Sequence, residues 1–410
     1  MKCLQFRSIF SIQPALVPRN PGFPGKYIYL ACCVEYNRNM SLDFLKEIEE
    51  FIRLLKAISL GEKGLKVTGL VDTSKPYFLS ALAAESKKRI VFIQPSSFPL
   101  SEVEEQCRFY LSQLSSDLSL SSLPSLSENP YQEIIPSLDS VSSRMKFFYG
   151  LIHNSSSLIV THIFGLLKPF PNPQNLKRFF LNLEKGEIFG RDRVLDILDE
   201  YGYTREDLIN SHGEYAWRGG VVDVFSPWEP LPYRIEFSGD EIASIREFDP
   251  SYQRSASKID RILLPSLREF PSSSQFLQEW EEKIRGREEI RHLKDTEEKI
   301  TRMKRGDFFP SFFYLSLLHK EHFVPFNHYL RNSLFIINDI DEVEKEWKET
   351  IKDLREQYAE LKNNGKFCLP PEEIYPPLFL KQIKEEAIHW QELAPKRGRK
   401  TYSFSFSPSF

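Results

Sequence analysis

SHGEYAWRGGVVDVFSPWEPLPYRIEFSGDEIASIREFD, residues 211–249, is the stretch whose reading decides the fold. Tyr233, Ile235 and Phe237 alternate with Arg234 and Glu236, the period-two pattern of a strand with one dry face and one wet face. VVDVF at 221–225 is the strand before it, and IASIREFD at 242–249 the strand after it. Gly219, Gly220 and Gly239 stand where turns or bulges are needed. The stretch therefore predicts an antiparallel meander whose polar face is open to solvent or to a partner.

Outward from this meander the pattern changes. Residues 190–200 read as a helix. GLKVT, RIVFIQP at 89–95, SLIVTHI at 157–163 and SLFIIND at 333–339 are short apolar runs of the parallel, doubly covered kind. Helical periodicity separates them. Leu42, Leu45, Ile48, Ile52, Leu55 and Ile58 follow a capping Ser41. Ser101 and Glu104 form a capping box for 101–114, and 141–152 is a further helix. Val343, Trp347, Ile351, Leu354, Tyr358 and Leu361 step by three and four up to Gly365, a C-terminal stop. Residues 115–130 are Ser-, Leu- and Pro-rich and read as a loop or a short apolar connection. The aromatic stretch 308–315 reads as packed core. Strand and helix alternate, so the fold class is α/β.

The whole-chain arithmetic excludes several functions. At 410 residues the chain exceeds one ordinary domain. A net charge of −3 argues against a protein that coats DNA, although a local basic face is compatible with it. No apolar run reaches the roughly 18–20 residues of a membrane helix, so no membrane partner is expected. The cysteines Cys3, Cys32, Cys33, Cys107 and Cys368 lack both zinc-site spacing and a disulfide framework, which fits a reducing, cytoplasmic setting. His319, His322 and His328 cluster without an HExxH or HxH element and read as ordinary core or surface histidines, so no metal is expected. The first forty residues carry Pro14, Pro18, Pro21 and Pro24 and no signal-peptide pattern. Met40 is expected to stand nearer the start of the folded unit, an expectation that a peptide from residues 1–39 of the purified protein would overturn.

GLVDTSK at Gly69–Lys75 has the outline of a phosphate loop without its substance. A phosphate loop, GxxxxGK[ST], wraps phosphate with backbone N–H groups and holds Mg²⁺ through its final hydroxyl. Here Gly69 and Lys75 remain, Ser74 replaces the second glycine, and Pro76 replaces the hydroxyl while lacking an N–H. With 33 Phe against 18 Gly, the chain is poor in the residue such loops use. Gly69, Ser74 and Lys75 are therefore read as a degenerate, non-functional loop. No cofactor and no catalytic residue is assigned. Asp72 and Asp339, at strand ends, read as caps or solvated loop residues.

The run GYTREDLINSHGEYAWRGGVVDVFSPWEPLPYRIEFSGDEIASIREFDPSYQRS at 202–255, followed by ILLPSLREF at 262–270, resembles the bacterial transcription-repair coupling factor family, Mfd. GEYAWRGG, FDPSYQRS and the spoiled phosphate loop favour this family over the excision-repair subunit UvrB, which shares a looser form of the domain. The flanks are similar to the family's first module in outline: TGLVDTSKPYFLSAL, NPYQEIIPSLDSVSSRMKFFYGL and SLIVTHIFGLLKPFP. The resemblance covers about 41–376, closely at 202–270 and loosely elsewhere.

The resemblance implies a split, degenerate helicase-like domain of P-loop NTPase type, with a UvrB-homologous α/β domain containing an antiparallel sheet inserted into it. The expected boundaries are 41–179 and 267–376 for the split domain and 180–266 for the insertion. Residues 1–40 are then an extension, poorly ordered or misassigned, and 377–410 a basic, poorly defined tail. The implied function is transcription-coupled nucleotide excision repair by protein contact with UvrA, and through it with the damaged-DNA repair complex, without motor or enzyme activity. The chain looks like a module truncated before the polymerase-binding and translocase domains, so RNA polymerase contact is not expected. A UvrB-like ATP-dependent enzyme that binds damaged DNA and a non-functional remnant are the other readings.

Two residues match the family's UvrA-docking arginines: Arg218, before the glycine pair, and Arg234, on the polar face of its strand. Arginine forms two parallel hydrogen bonds to a carboxylate, which suits an acidic partner. The competing reading makes them solubility residues or partners of Glu236 and Glu214. Glu236 and Ser238 lie at the edge of the docking face, and Ser238 stands where the family often has an aromatic. Glu214, Asp240 and Glu241 are expected to organise turns. Trp217 and Trp228 are candidate hydrophobic contacts or strand anchors.

Overall fold

A computed structural model describes residues 48–391 and 401–403, apart from 71–73, 115–117, 127–128, 133, 154–156, 252–253, 271 and 308. The predicted Ser41 cap, the N-terminal extension and Asp72 lie outside the described residues.

The apolar runs form a seven-stranded parallel sheet. Its spatial order is Thr401–Ser403, Lys66–Thr68, Ile388–Gln391, Leu334–Asn338, Ile90–Gln94, Leu158–His162, Leu120–Leu123. The strand Ile90–Gln94 is buried along its whole length, as a central strand covered on both faces must be. Helices Glu49–Ser59, Ser74–Ser86, Leu100–Leu114, Leu138–Ile152 and Ile340–Asn363 accompany the sheet. The last of these ends before Gly365, whose φ of 68° is the left-handed stop expected there. Its N-cap is Asp339, which accepts from the Glu342 N–H at 3.2 Å. The chain is an α/β protein.

Strands from both ends of the chain meet in this sheet, and the middle of the chain builds another. The second sheet runs Arg254–Ile259, Glu241–Asp249, Tyr233–Ser238, Val221–Val224, Glu214–Arg218, Thr204–Arg205. It is antiparallel except at its last pair. Helix Arg191–Tyr201 covers one face, where Val194, Leu198, Val222, Val224, Ile235 and Ile245 are packed together. Phe180–Glu184 and Arg261–Pro265, which lead into and out of this region, pair antiparallel with each other. Trp228 is an anchor: its Nε1 donates to the Ser142 carbonyl at 3.3 Å, and its ring packs against Tyr149 and Phe180.

Three local readings differ from the structure. The Leu100–Leu114 helix starts before Ser101, which therefore lies in its first turn. Leu120–Leu123, read as part of a loop, is an edge strand because the Leu158–His162 backbone offers it a parallel partner. Pro377–Glu386 is a helix and Ile388–Gln391 an interior strand, in a stretch read as a tail. Phe312–Leu315 is helical, and the packed core expected there is what forms: Phe312, Phe313, Tyr314 and Leu315 are all buried. Among the described residues no helix is long and apolar enough to cross a membrane.

Candidate functional site

The register of the antiparallel sheet decides which side chains share its polar face, because directly opposed residues point the same way. One row across the sheet reads Ala216, Asp223, Arg234, Arg246, Lys258; the next reads Arg218, Val221, Glu236, Ser244. Arg218 and Arg234 therefore lie on the same face, one row apart and two strands apart.

Their states differ. Arg234 is part-buried and gripped. Its Nε and Nη2 donate to the two Asp223 carboxylate oxygens at 2.7 and 2.8 Å, and its guanidinium lies 4.4 Å from the Phe248 ring centre. Phe248 sits with Ile209, Ala216 and Phe225 in a small apolar cluster. Asp223, directly across the strand pair, is thus a hydrogen-bond partner of Arg234 that the sequence reading did not name. Glu236 pairs with Arg246 and accepts from Ser244 Oγ at 2.7 Å, and these hydrogen bonds hold its carboxyl below the usual range. Arg234 and Arg246 are opposed like charges, each relieved by its own acid.

Arg218 is exposed at the strand end, where its Nη2 donates to the Asp207 carbonyl at 3.2 Å. The turn behind it requires its glycines. Gly219 has φ of 58°, and a Cβ on Gly220 would stand 2.9 Å from the Phe237 carbonyl oxygen. This close approach ties the end of the Arg218 strand to Phe237, with the exposed Ser238 next in chain. Glu214 organises a turn, accepting from the Asn210 and Ser211 N–H groups at 2.7 and 2.9 Å.

Sequence reasoning missed a cleft of about 460 Å³ at this end of the sheet, whose walls include Ile188, Phe189, Arg191, Arg193, Gly220 and Phe237. Ile188 is 79% exposed. Arg191 and Arg205 lie 4.9 and 5.2 Å from the Trp217 ring centre, so this tryptophan anchors two cations at the sheet edge. The sequence signal was the basic-apolar run Ile188–Arg193, which carries no motif by itself.

The UvrB interaction domain family matches residues 181–270, the span of the antiparallel sheet and its covering helix. Residues 181–270 are similar to UvrB interaction domains. The chain's sequence is also similar to transcription-repair-coupling factors. That of Escherichia coli (strain K12) is 31% identical over 168 residues, 40% of this chain and 15% of the relative. That of Mycobacterium tuberculosis (strain CDC 1551 / Oshkosh) is 36% identical over 145 residues, 34% and 12% of the two chains. That of Bacillus subtilis (strain 168) is 26% identical over 227 residues, 55% and 19%. The matched regions thus span less than a fifth of each of these relatives. Within the interaction domain lie Arg218, Arg234, Glu236 and Ser238.

Gly69, Ser74 and Lys75 lie outside residues 181–270, in the parallel-sheet region. Gly69, with φ of 83°, follows the strand Lys66–Thr68, and Ser74 opens the helix Ser74–Ser86. Lys75 is in the first turn of that helix. Pro76, buried beside it, removes an N–H from the helix end where a phosphate would seek one.

Proposed function

We propose that the chain is a non-enzymatic interaction module of transcription-coupled nucleotide excision repair that docks UvrA on the polar face of its interaction domain. The observation that carries this reading is the placement of Arg218 and Arg234 on one face of the sheet within the matched domain. Asp223 holds the Arg234 guanidinium in one orientation, so little ordering cost falls on association. Arg218 is the exposed, adaptable contact. The parallel sheet, built from strands at 66–162 and 334–403, is a split helicase-like scaffold into which the interaction domain is inserted. Pro76 in the helix beside Lys75 supports the absence of ATP chemistry.

Mixing the full chain with purified UvrA is expected to give a complex. Replacing both arginines by Ala should lower its affinity about 30-fold or more, the scale of an arginine hot spot. Arg218→Ala should leave the melting temperature unchanged, whereas Arg234→Ala also strands Asp223 and should lower it. A well-folded chain that does not bind UvrA, or binding indifferent to both changes, rejects the docking reading. ATP turnover above background that disappears in Lys75→Ala rejects the non-enzymatic one.

A further inference from the structure

Glu279, His319 and His322 offer one ligand atom each, all within 4.8 Å of one another. Glu279 comes from the helix Ser274–Arg285. His319 precedes the short turn Lys320–His322 and His322 ends it, some forty residues later. His328, the third histidine of that stretch, is placed edge-on to Tyr329. Both imidazoles aim Nε2 at the same oxygen: Glu279 Oε2 is 2.8 Å from His319 Nε2 and 3.2 Å from His322 Nε2. We propose that these three residues bind a zinc ion, in an interface between chain segments that lie on either side of the interaction domain.

Hydrogen-bond counting leaves a neutral His319 with one unmatched ring nitrogen, which a metal ion would satisfy. His319 is 5% exposed and has a carboxylate oxygen 2.8 Å from each ring nitrogen, Glu321 Oε2 at Nδ1 and Glu279 Oε2 at Nε2. A neutral imidazole can donate to only one of them, and its other nitrogen then faces an anion with a lone pair. A metal ion at Nε2 removes the conflict. Nδ1–H still donates to Glu321, the carboxylate–histidine–metal arrangement that fixes the tautomer and orients the ring. Glu321 is itself held by Lys283 Nζ at 2.8 Å.

His322 has a second partner, a side-chain amide. Its Nδ1 lies 2.8 Å from the Asn175 side-chain amide. A metal at Nε2 requires Nδ1–H, so the Asn175 amide must turn over and exchange its 3.3 Å donation to the His322 carbonyl for acceptance from Nδ1–H. Zinc bonds of about 2.0–2.2 Å place tetrahedral ligand atoms about 3.3 Å apart. The present separations of 2.8 and 3.2 Å need to open by only a fraction of an ångström. Two imidazole nitrogens and one carboxylate suit zinc, with water in the fourth position.

The consequence is structural. Asn172 N–H donates to the His322 carbonyl at 2.8 Å, and Asn172 Nδ2 to the Glu321 carbonyl at 3.0 Å. Residues 172–175 precede the domain at 181–270, while Glu279 and His319–His322 follow it. Zinc would clasp together these segments, which precede and follow the interaction domain in the chain.

The test is zinc titration of the metal-free full chain by calorimetry, with cobalt substitution read by visible absorption. One equivalent of zinc is expected, and a cobalt spectrum without a thiolate charge-transfer band. Glu279→Gln and His322→Ala should each lower affinity at least about 100-fold, and Asn175→Ala about 10-fold, the range of second-sphere effects. Glu279→Gln keeps the side chain's shape and an acceptor for both histidines, and circular dichroism checks that each variant is folded. Absence of stoichiometric zinc, zinc affinity unchanged in folded Glu279→Gln and His322→Ala, or a thiolate band with cobalt each overturns the proposal. The first outcome would leave the cluster as a hydrogen-bonded group of side chains only.

Discussion

Glu269→Ala is expected to destabilise the protein by about 3–5 kcal/mol, the cost of leaving buried charge without its partner. Glu269 is fully buried, and so nearly are Arg144 and Lys168 around it. Its carboxylate accepts from Arg144 Nε, from Arg144 Nη2 at 3.1 Å and from Lys168 Nζ at 3.2 Å. Arg144 also donates to the Pro124 carbonyl at 2.7 Å. Removing the one acid leaves two cations in an apolar interior. Glu269→Gln, which keeps the shape, should cost less than Ala. Replacing all three residues by apolar side chains of similar volume should cost less than Glu269→Ala alone, because the desolvation penalty disappears with the charges. Urea denaturation at neutral pH measures each difference, and a Glu269→Ala loss below about 1 kcal/mol would reject the account.

The same cluster sets an acid sensitivity. Burial pushes the Glu269 carboxyl up, but Arg144 and Lys168 outweigh it and hold the group below the usual carboxylate range. A carboxyl with a depressed folded pKa stabilises the fold above its unfolded pKa, about 4.3 for Glu. That contribution is lost as pH falls through the lower folded value. Wild type should therefore lose stability more steeply than Glu269→Gln as pH drops below about 4. Parallel losses in the two proteins would reject this assignment.

Trp390→Ala is expected to cost about 3–5 kcal/mol, the range for emptying a large aromatic site in a core. Trp390 is fully buried in the strand Ile388–Gln391, opposite Val67 on one side and Asn338 on the other. Phe78 and Phe92 meet its ring edge-on, with centroids 5.5 and 5.9 Å away. Its Nε1–H finds no acceptor among the described residues. Phenylalanine keeps most of the ring contact and removes that orphaned donor, so Trp390→Phe should cost less than half as much as Trp390→Ala. Equal losses for Phe and Ala would place the stabilising contribution in the indole nitrogen and reject this account.

The two positions mark how far the sequence could be read. Trp390 falls in KEEAIHWQEL, whose charges and spacing carry no strand pattern. It forms one because the slot between Lys66–Thr68 and Leu334–Asn338 presents backbone donors and acceptors that need partners. Leu120–Leu123, without a β-branched residue, is recruited in the same way by Leu158–His162. Tertiary pairing overrides local preference at both. Where periodicity was strong, in the Tyr233–Ser238 strand and the Ile340–Asn363 helix, the element formed as its pattern predicted, because each has one face that must be buried.

Sequence alone determined the α/β class and the antiparallel meander, with Arg218 beside a turn and Arg234 on the polar face of its strand. These depend on residue type and on spacing along a single element. The tertiary structure decided the rest. Strand register set Asp223 opposite Arg234. Packing of a helix against a distant turn set Glu279 between His319 and His322. Chain return around the interaction domain buried Glu269 against Arg144 and Lys168. Each of these is a pairing between residues that the sequence separates, and a pairing exists only once the elements carrying its two members are brought to hydrogen-bond distance.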